Sequence, residues 1–270
     1  MTTTQKVIKY LAVALAVFLI VSIISGIVSA VIALGKFLTN DDNYKLDSYK
    51  TLEISKDFDS LEIDIASANI IVKEGVEPKV ETNNKNVYTK IDDKKLIVKQ
   101  TKEFHINTKI DSDVIIYLPK DYNLVSFDLD SGAGRVEVAN ISANKVDINL
   151  GAGKAIFENI NASGIADIDG GAGAMEIKGS VLHNLDLDMG AGKLNIEALI
   201  TGRSDIDCGV GEANIRLIGG RNDYRIKASK GVGSLSINGE SYSKEVTVGD
   251  GENFIDIDGG VGAIKINYTE

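Results

Sequence analysis

The 270-residue chain carries 39 acidic and 29 basic side chains, 44% hydrophobic residues, 27 glycines, two prolines and one cysteine. Such a composition belongs to a folded protein and excludes collagen-like, proline-rich and wholly disordered chains. The lone thiol, Cys208, rules out an internal disulfide framework and any multi-thiolate metal site.

In chain order, the first element is apolar. Tyr10–Gly35 contains no charge over 26 residues, a helix longer than the roughly 30 Å hydrocarbon core of a bilayer. Residues 1–36 therefore read as a transmembrane helix, a retained signal anchor. The rival reading is a cleaved signal peptide, ending at Val28-Ser29-Ala30 or Val31-Ile32-Ala33. Its apolar part is normally only about 7–15 residues, which favours the anchor. Lys6 and Lys9 precede the span while Lys36, Lys45 and Lys50 come after it, so charge bias orients it weakly. Long C-terminal domains cross largely regardless of that bias, and an extracytoplasmic domain is expected. Residues 37–270 hold all 39 acids and 26 of the 29 bases. So negative a domain is repelled by nucleic acid, and no such partner is expected.

Residues 37–51 are polar and read as a linker. The region 52–125 contains short runs of period two: Ser60–Ile65, Asn69–Lys73, Asn86–Ile91, Lys95–Lys99 and Asp113–Leu118. Polar clusters such as Glu81-Thr82-Asn83-Asn84-Lys85 separate them. Alternation with turn punctuation is the signature of strands. This region is expected to continue into, or cap, the C-terminal repeats.

Residues 126–270 form an array. Gly-x-Gly steps stand at Gly132/Gly134, Gly151/Gly153, Gly171/Gly173, Gly190/Gly192, Gly209/Gly211, Gly231/Gly233 and Gly260/Gly262, spaced 19, 20, 19, 19, 22 and 29 residues apart. Before most steps comes a polar–apolar–polar triplet, such as Asp167-Ile168-Asp169; after each come two apolar residues one apart, such as Met175 and Ile177. In strands this puts the aliphatic residues on one face and the acids on the other. One unit alone cannot bury its apolar face, whereas stacked units share a core. The predicted fold is all-β: a β-solenoid, or β-helix-like stack, of 19–20-residue repeats preceded by one transmembrane helix. The glycines are its structural corners, allowing positive φ and close approach of rungs. An older copy falls at Ile63–Val72, with Ser67-Ala68-Asn69 in place of the glycine step, and the irregular last unit reads as an end cap.

Chemical readings of the same motif are weaker. A dinucleotide fingerprint needs a third glycine where this chain has Glu137, Ile156, Glu176, Asn195, Asn214, Ser236 and Lys265, so no nucleotide is expected. The calcium nonapeptide needs an aspartate where Met175 and Ile264 stand. There remains the column Asp128, Asp147, Asp167, Asp186 and Asp205, backed by Asp130, Asn149, Asp169, Asp188 and Asp207. These are candidate cation ligands, or simply a soluble face; at a strand spacing of about 4.8 Å, neighbouring carboxylates repel by about 1 kcal/mol per pair in water. Carbohydrate-active β-helix enzymes use carboxylate clusters too. Here the acids track the repeat, the only histidines are His105 and His183, and no catalytic residue or cofactor is expected. Cys208 occupies the slot of Ser131, Leu150, Gly170 and Met189 and reads as a core residue.

The stretches DSLEIDIASANIIVKEG, KLIVK and VIIYLPKDYNLVSFDLDSGAG, succeeded by the glycine rungs, resemble the "putative adhesin" β-strand-repeat family, a domain of unknown function. It includes membrane-anchored LiaG-type proteins of envelope-stress operons. The resemblance covers roughly residues 50–268 and implies an extracytoplasmic domain; the chain departs from many members by lacking a regular Asp after Gly-x-Gly. It supplies no catalytic residues. The expectation is a non-catalytic binding, adhesion or scaffolding surface, anchored in the membrane, whose partner is an envelope polymer or envelope protein. The alternatives are a divalent-cation-responsive scaffold built on the Asp columns and a carbohydrate-active enzyme.

Overall fold

The computed structural model describes residues 45–52, 54, 57–101 and 112–269. The predicted membrane helix, residues 37–44 and His105 lie outside them. Among the described residues no helix is long and apolar enough to cross a membrane. The alternating pattern makes nearly every described segment a strand: β1 (Lys45–Leu52), β2 (Ser60–Gly75), β3 (Lys79–Asn84), β4 (Val87–Asp92), β5 (Lys95–Gln100), β6 (Asp113–Pro119) and β7 (Asn123–His183), then β8 (Leu185–Thr201), β9 (Arg203–Ile218), β10 (Tyr224–Ile237), β11 (Glu240–Tyr242), β12 (Val246–Val248) and β13 (Asn253–Thr269). All thirteen belong to one sheet.

β7 runs through several turns of the stack. Each turn lays down three alternating runs, whose inward residues are Phe127/Leu129, Val136/Val138 and Ile141/Ala143, then Val146/Ile148, Ala155/Phe157 and Ile160/Ala162, none more than 5% exposed. The third run does not emerge from the sequence pattern, because Ile141-Ser142-Ala143 and Ile160-Asn161-Ala162 are too short to register as alternation. It is reached through Asn140 (φ 58°), Asn159 (φ 55°) and Gly179 (φ 59°), residue types that tolerate the left-handed conformation.

Rungs stack parallel and in register. Ile63 pairs with Leu129, Ile168 with Leu187, Leu187 with Ile206 and Ile206 with Ile257. These side chains and Ile148 are almost fully buried, which confirms the shared core. The first rung is β2, and its register corrects the sequence-based alignment by one residue: Ser67 pairs with Ala133 and Ala68 with Gly134, so Ala66-Ser67-Ala68 replaces Gly-Ala-Gly. β2 also runs unbroken through this corner, joining two strands that the sequence pattern separates.

The last two rungs break chain order. The sequence is β7-β8-β9-β13-β10, so β13 lies between β9 and β10. The final unit is therefore an insertion rather than the expected end cap. The cause is local. Asn238 (φ 48°) and Gly239 (φ 82°) form a two-residue turn with both φ positive, the geometry whose twist suits a tight hairpin. It folds β11 antiparallel onto Leu235–Ile237, and β12 covers Ile226–Ala228. With that edge of β10 occupied, β13 pairs along the other edge.

At the opposite end β5 lies parallel to the first half of β2 and β6 to the second half. β4 then pairs antiparallel with β5, β3 with β6 and β1 with β3. Such hairpins blunt the open edges of a solenoid. Two expectations are corrected here. Residues 45–51 of the predicted linker are strand, and residues 81–84 are strand rather than a separator. Polar residues serve in β3 because their groups are satisfied: Thr82 Oγ1 donates to the Asp113 carbonyl at 2.7 Å, Asn83 Oδ1 accepts from the Asp113 amide at 2.8 Å, and Asn84 Nδ2 donates to Ser112 Oγ at 3.2 Å.

Candidate functional site

Two columns of recurring geometry run along the stack, one of glycines and one of acids. At the corner, the two glycines of each step do different work. The second (Gly134, Gly153, Gly173, Gly192, Gly211, Gly233, Gly262) has φ between 136° and 148°, a region closed to residues with a Cβ. The first (Gly132, Gly151, Gly171, Gly190, Gly209, Gly231, Gly260) does not need positive φ; a Cβ there would lie 2.2–2.6 Å from a backbone carbonyl of the neighbouring rung. β2 escapes the requirement at Ala66 and Ala68, having β5 and β6 on that side in place of another glycine step. Cavities beneath the corners measure about 20 Å³ (beside Met175 and Met189) and 10 Å³ (beside Cys208). Those volumes admit at most a water molecule. Among the described residues, a ligand larger than water therefore meets these corners from outside.

Just before the corner, alternation turns the acids outward on adjacent rungs. One column pairs Glu62 with Asp128, Asp167 with Asp186, Asp186 with Asp205, Asp205 with Asp256 and Asp256 with Lys227; Asp147 occupies the rung between Asp128 and Asp167. The second column pairs Asp64 with Asp130, Asp169 with Asp188, Asp188 with Asp207 and Asp207 with Asp258. An open groove of about 390 Å³ lies where the second column meets the corner, bounded by Asp64, Asp130, Asn149, Asp169, Gly132 and Gly151.

The ladder is neutralised only toward its ends. Glu62 is held by Lys99 at 2.7 Å and Lys95 at 3.3 Å, and Lys95 also reaches Asp128 at 3.5 Å. Lys145 binds Asp147 at 2.7 Å, and Lys227 binds Asp256 at 2.9 Å. Between them, Asp167, Asp169, Asp186, Asp188, Asp205 and Asp207 have no ion pair or side-chain hydrogen bond among the described residues. Partial burial, then the charges of neighbouring aspartates, pushes Asp169, Asp186 and Asp207 above the ordinary carboxylate range. Lys99 and Lys95 have the opposite effect on Glu62, whose pKa they lower. The sequence shows the columns but not their neutralisation, since Lys95, Lys99 and Lys227 reach the acids across strands distant in sequence.

Among the described residues no three His, Cys, Asp or Glu side chains converge as a metal-binding group. Met175 and Ile264, where the calcium motif needs aspartate, are core residues. Cys208 is half-buried against the core; burial, then Asp207 and Asp188, raises its thiol to about 11, which keeps it protonated and unreactive at neutral pH. His183 Nδ1 lies 2.9 Å from Thr201 Oγ1, three residues before Asp186 of the first acid column.

Residues 58–260 match the protein family described as Toastrack DUF4097. Among solved structures, the chain is similar to a putative cell adhesion protein from Clostridium sporogenes, with 17% identity, 82% of this chain and 99% of that one covered, and a TM-score of 0.38. It is also similar to a putative adhesin from Parabacteroides merdae (13% identity, 83% and 96% covered, TM-score 0.39). A third neighbour is a putative lipid binding protein from Parabacteroides distasonis (14%, 83% and 96%, 0.33). No functionally curated protein matches the chain significantly.

Proposed function

The chain belongs to the Toastrack DUF4097 family, and we propose that it is a membrane-anchored, extracytoplasmic β-repeat protein whose solenoid is a non-catalytic binding and scaffolding surface in the cell envelope. The uncharged span Tyr10–Gly35 supplies the anchor. The acid ladder is the binding face, and its partner is a cationic envelope polymer or the basic surface of an envelope protein. One observation carries this reading: the six carboxylates of Asp167, Asp169, Asp186, Asp188, Asp205 and Asp207 stand in register on three adjacent rungs with no counter-charge among the described residues. Holding them there destabilises the fold slightly, and a partner bearing positive charge recovers that energy on binding while the rigid backbone keeps the spacing. The test is capture of envelope polymers and proteins by the full chain in detergent. Replacing Asp167, Asp186 and Asp205 by lysine abolishes capture with the thermal midpoint kept; undiminished capture removes the ladder from consideration.

A second reading is favoured by the raised carboxylates of Asp169, Asp186 and Asp207. Divalent cations bridging rungs relieve the same repulsion, making the solenoid a cation-responsive scaffold. Under it, millimolar calcium or magnesium raises the thermal midpoint more than an equal ionic strength of sodium does; equal shifts dismiss it.

A further inference from the structure

β13 is the rung that arrives last and goes inside. The chain passes the open edge of β9, builds β10 with its hairpin, and only then returns to fill the slot between them. Arg203–Ile218 lines one wall of that slot and Tyr224–Ile237 the other, both parallel to the incoming strand. β10 has β13, β11 and β12 as its neighbours in the sheet, so β13 is what joins it to the rest of the stack. The slot also reads the sequence of the strand it takes. Asn253 Oδ1 accepts from the Gly202 amide at 3.0 Å while its Nδ2 donates to the Asp223 carbonyl at 3.0 Å. The Phe254 ring lies between the guanidinium groups of Arg203 and Arg225, 4.9 and 5.7 Å from its centre. At the far end Asn238 Oδ1 accepts from the Tyr268 amide at 3.1 Å, and Tyr268 stacks on Tyr224 with ring centres 6.1 Å apart. Two rungs away the position of Phe254 is held by Asn184, and no Asn-Phe pair opens any other rung.

We propose that this slot is a strand-acceptor site for the Asn253–Thr269 segment of a second copy of this chain, so that two molecules join by reciprocal exchange of β13. Exchange preserves every contact just named, because both copies present the same slot and the same strand. Only the hinge, residues 249–252, changes conformation. It is tight as it stands: Gly249 has φ 77°, and a Cβ on Gly249 or Gly251 would lie 2.2 Å from backbone atoms of Tyr224. A short hinge under constraint, connecting an element that docks by backbone pairing, is the arrangement from which strand exchange arises at small energetic difference. The balance between the closed and exchanged forms is then set by concentration and by hinge length. For a surface protein this gives copy-to-copy linkage through main-chain pairing, independent of the acid ladder.

The register supplies the test, since Gly259 of β13 pairs with Cys208 of β9. A Cβ at Gly259 meets chiefly Cδ1 of Ile264 at 2.4 Å rather than backbone, so a cysteine fits there once that side chain turns. Full-length wild-type chain, which carries Cys208, is mixed in detergent with differently tagged chain carrying Cys208→Ser and Gly259→Cys. The mixture is passed through partial unfolding, which frees the Cys208 thiol from its burial, and is refolded under an oxidant at alkaline pH, where that thiol ionises. Each chain then has one thiol, and a Cys208-to-259 disulfide, identified by mass spectrometry, forms only when β13 of one copy lies on β9 of the other. The expected result is this heterodimer, its share rising with concentration and rising several-fold when Asp250 and Gly251 are deleted. Absence of that disulfide at every concentration overturns the proposal. If the variant chain does not fold, uptake of a labelled peptide of residues 250–270 by wild-type chain under the same treatment decides: stable uptake supports an acceptor slot, and none refutes it.

Discussion

The rungs of β7, β8 and β9 and those of β10 and β13 are made from the same repeat yet are ordered by different forces. In the first group, after the opening rung of β7 that lies on β2, each rung stacks on its predecessor in the chain, 19 or 20 residues earlier. In the second, 29 residues separate the two steps, and the later strand lies inside the earlier one. The repeat dictates which side chains face inward and where the chain bends. It does not dictate which rung neighbours which. That is settled by which edges are still free, and an Asn-Gly turn at residues 238–239 closes one of them.

The largest test of this contrast is at the corner, where both groups obey one rule. In Gly192→Val the new Cβ would lie 1.8 Å from the Gly173 carbonyl at a φ of 139°; we expect a loss of about 3 kcal/mol or more, read by urea unfolding. Ala68→Gly, at the same corner of β2, should cost only about 1 kcal/mol, the entropy of glycine. Equal losses would show that close stacking is not what selects glycine.

Next come the core truncations. Leu187→Ala in β8 and Ile257→Ala in β13 each remove a fully buried side chain and should cost about 2–5 kcal/mol. The two should differ in how protection is lost. Truncating Ile257 should speed amide exchange across Tyr224–Ile237, because β10 is held through β13, while Leu187→Ala should leave that segment no worse than the rest. A smaller effect is expected at the turn. Gly239→Ala places a Cβ residue at φ 82° with open space around it, a cost of about 1–2 kcal/mol. Its exchange signature should be confined to β11 and the adjacent part of β10.

The smallest effect concerns the ladder. Asp186 has its pKa raised in the folded state, by partial burial first and then by Asp167, Asp188 and Asp205. The folded chain thus holds the proton more tightly than the unfolded one, and this group's contribution becomes increasingly unfavourable as pH rises through the carboxylate range. Asp186→Asn should stabilise the protein at pH 7 by less than about 1 kcal/mol, because the group is largely solvated. The gain should shrink in high salt and vanish below the carboxylate range. Stabilisation that persists at low pH would mean that the substitution acts otherwise than by removing the carboxylate's charge.

Much of the architecture is legible in particular residues. Ile148, Ile168 and Leu187 declare an inward column by period two alone, and the Gly-x-Gly steps declare a bend once per turn. Short elements are less legible. Ile141-Ser142-Ala143 gives too little alternation to announce a third side, and Thr82-Asn83-Asn84 looks like a turn because the groups that satisfy it, Ser112 and Asp113, lie about thirty residues away. The offset at Ala66-Ser67-Ala68 arises because Asn69 resembles a turn residue, whereas pairing with Arg135 places it beyond the corner.

By itself the sequence determined the β structure, the length of each turn, the face that is buried and the acids that stand outward, because all of these derive from side-chain alternation within a single unit. Only the tertiary structure decided the order of the last rungs and which aspartates are matched by lysine. Rungs built on the same columns are interchangeable neighbours as far as local pattern goes: their backbones pair alike and their aliphatic side chains interlock alike. Choosing among them depends on free edges and cross-strand charges contributed by residues far away in the chain.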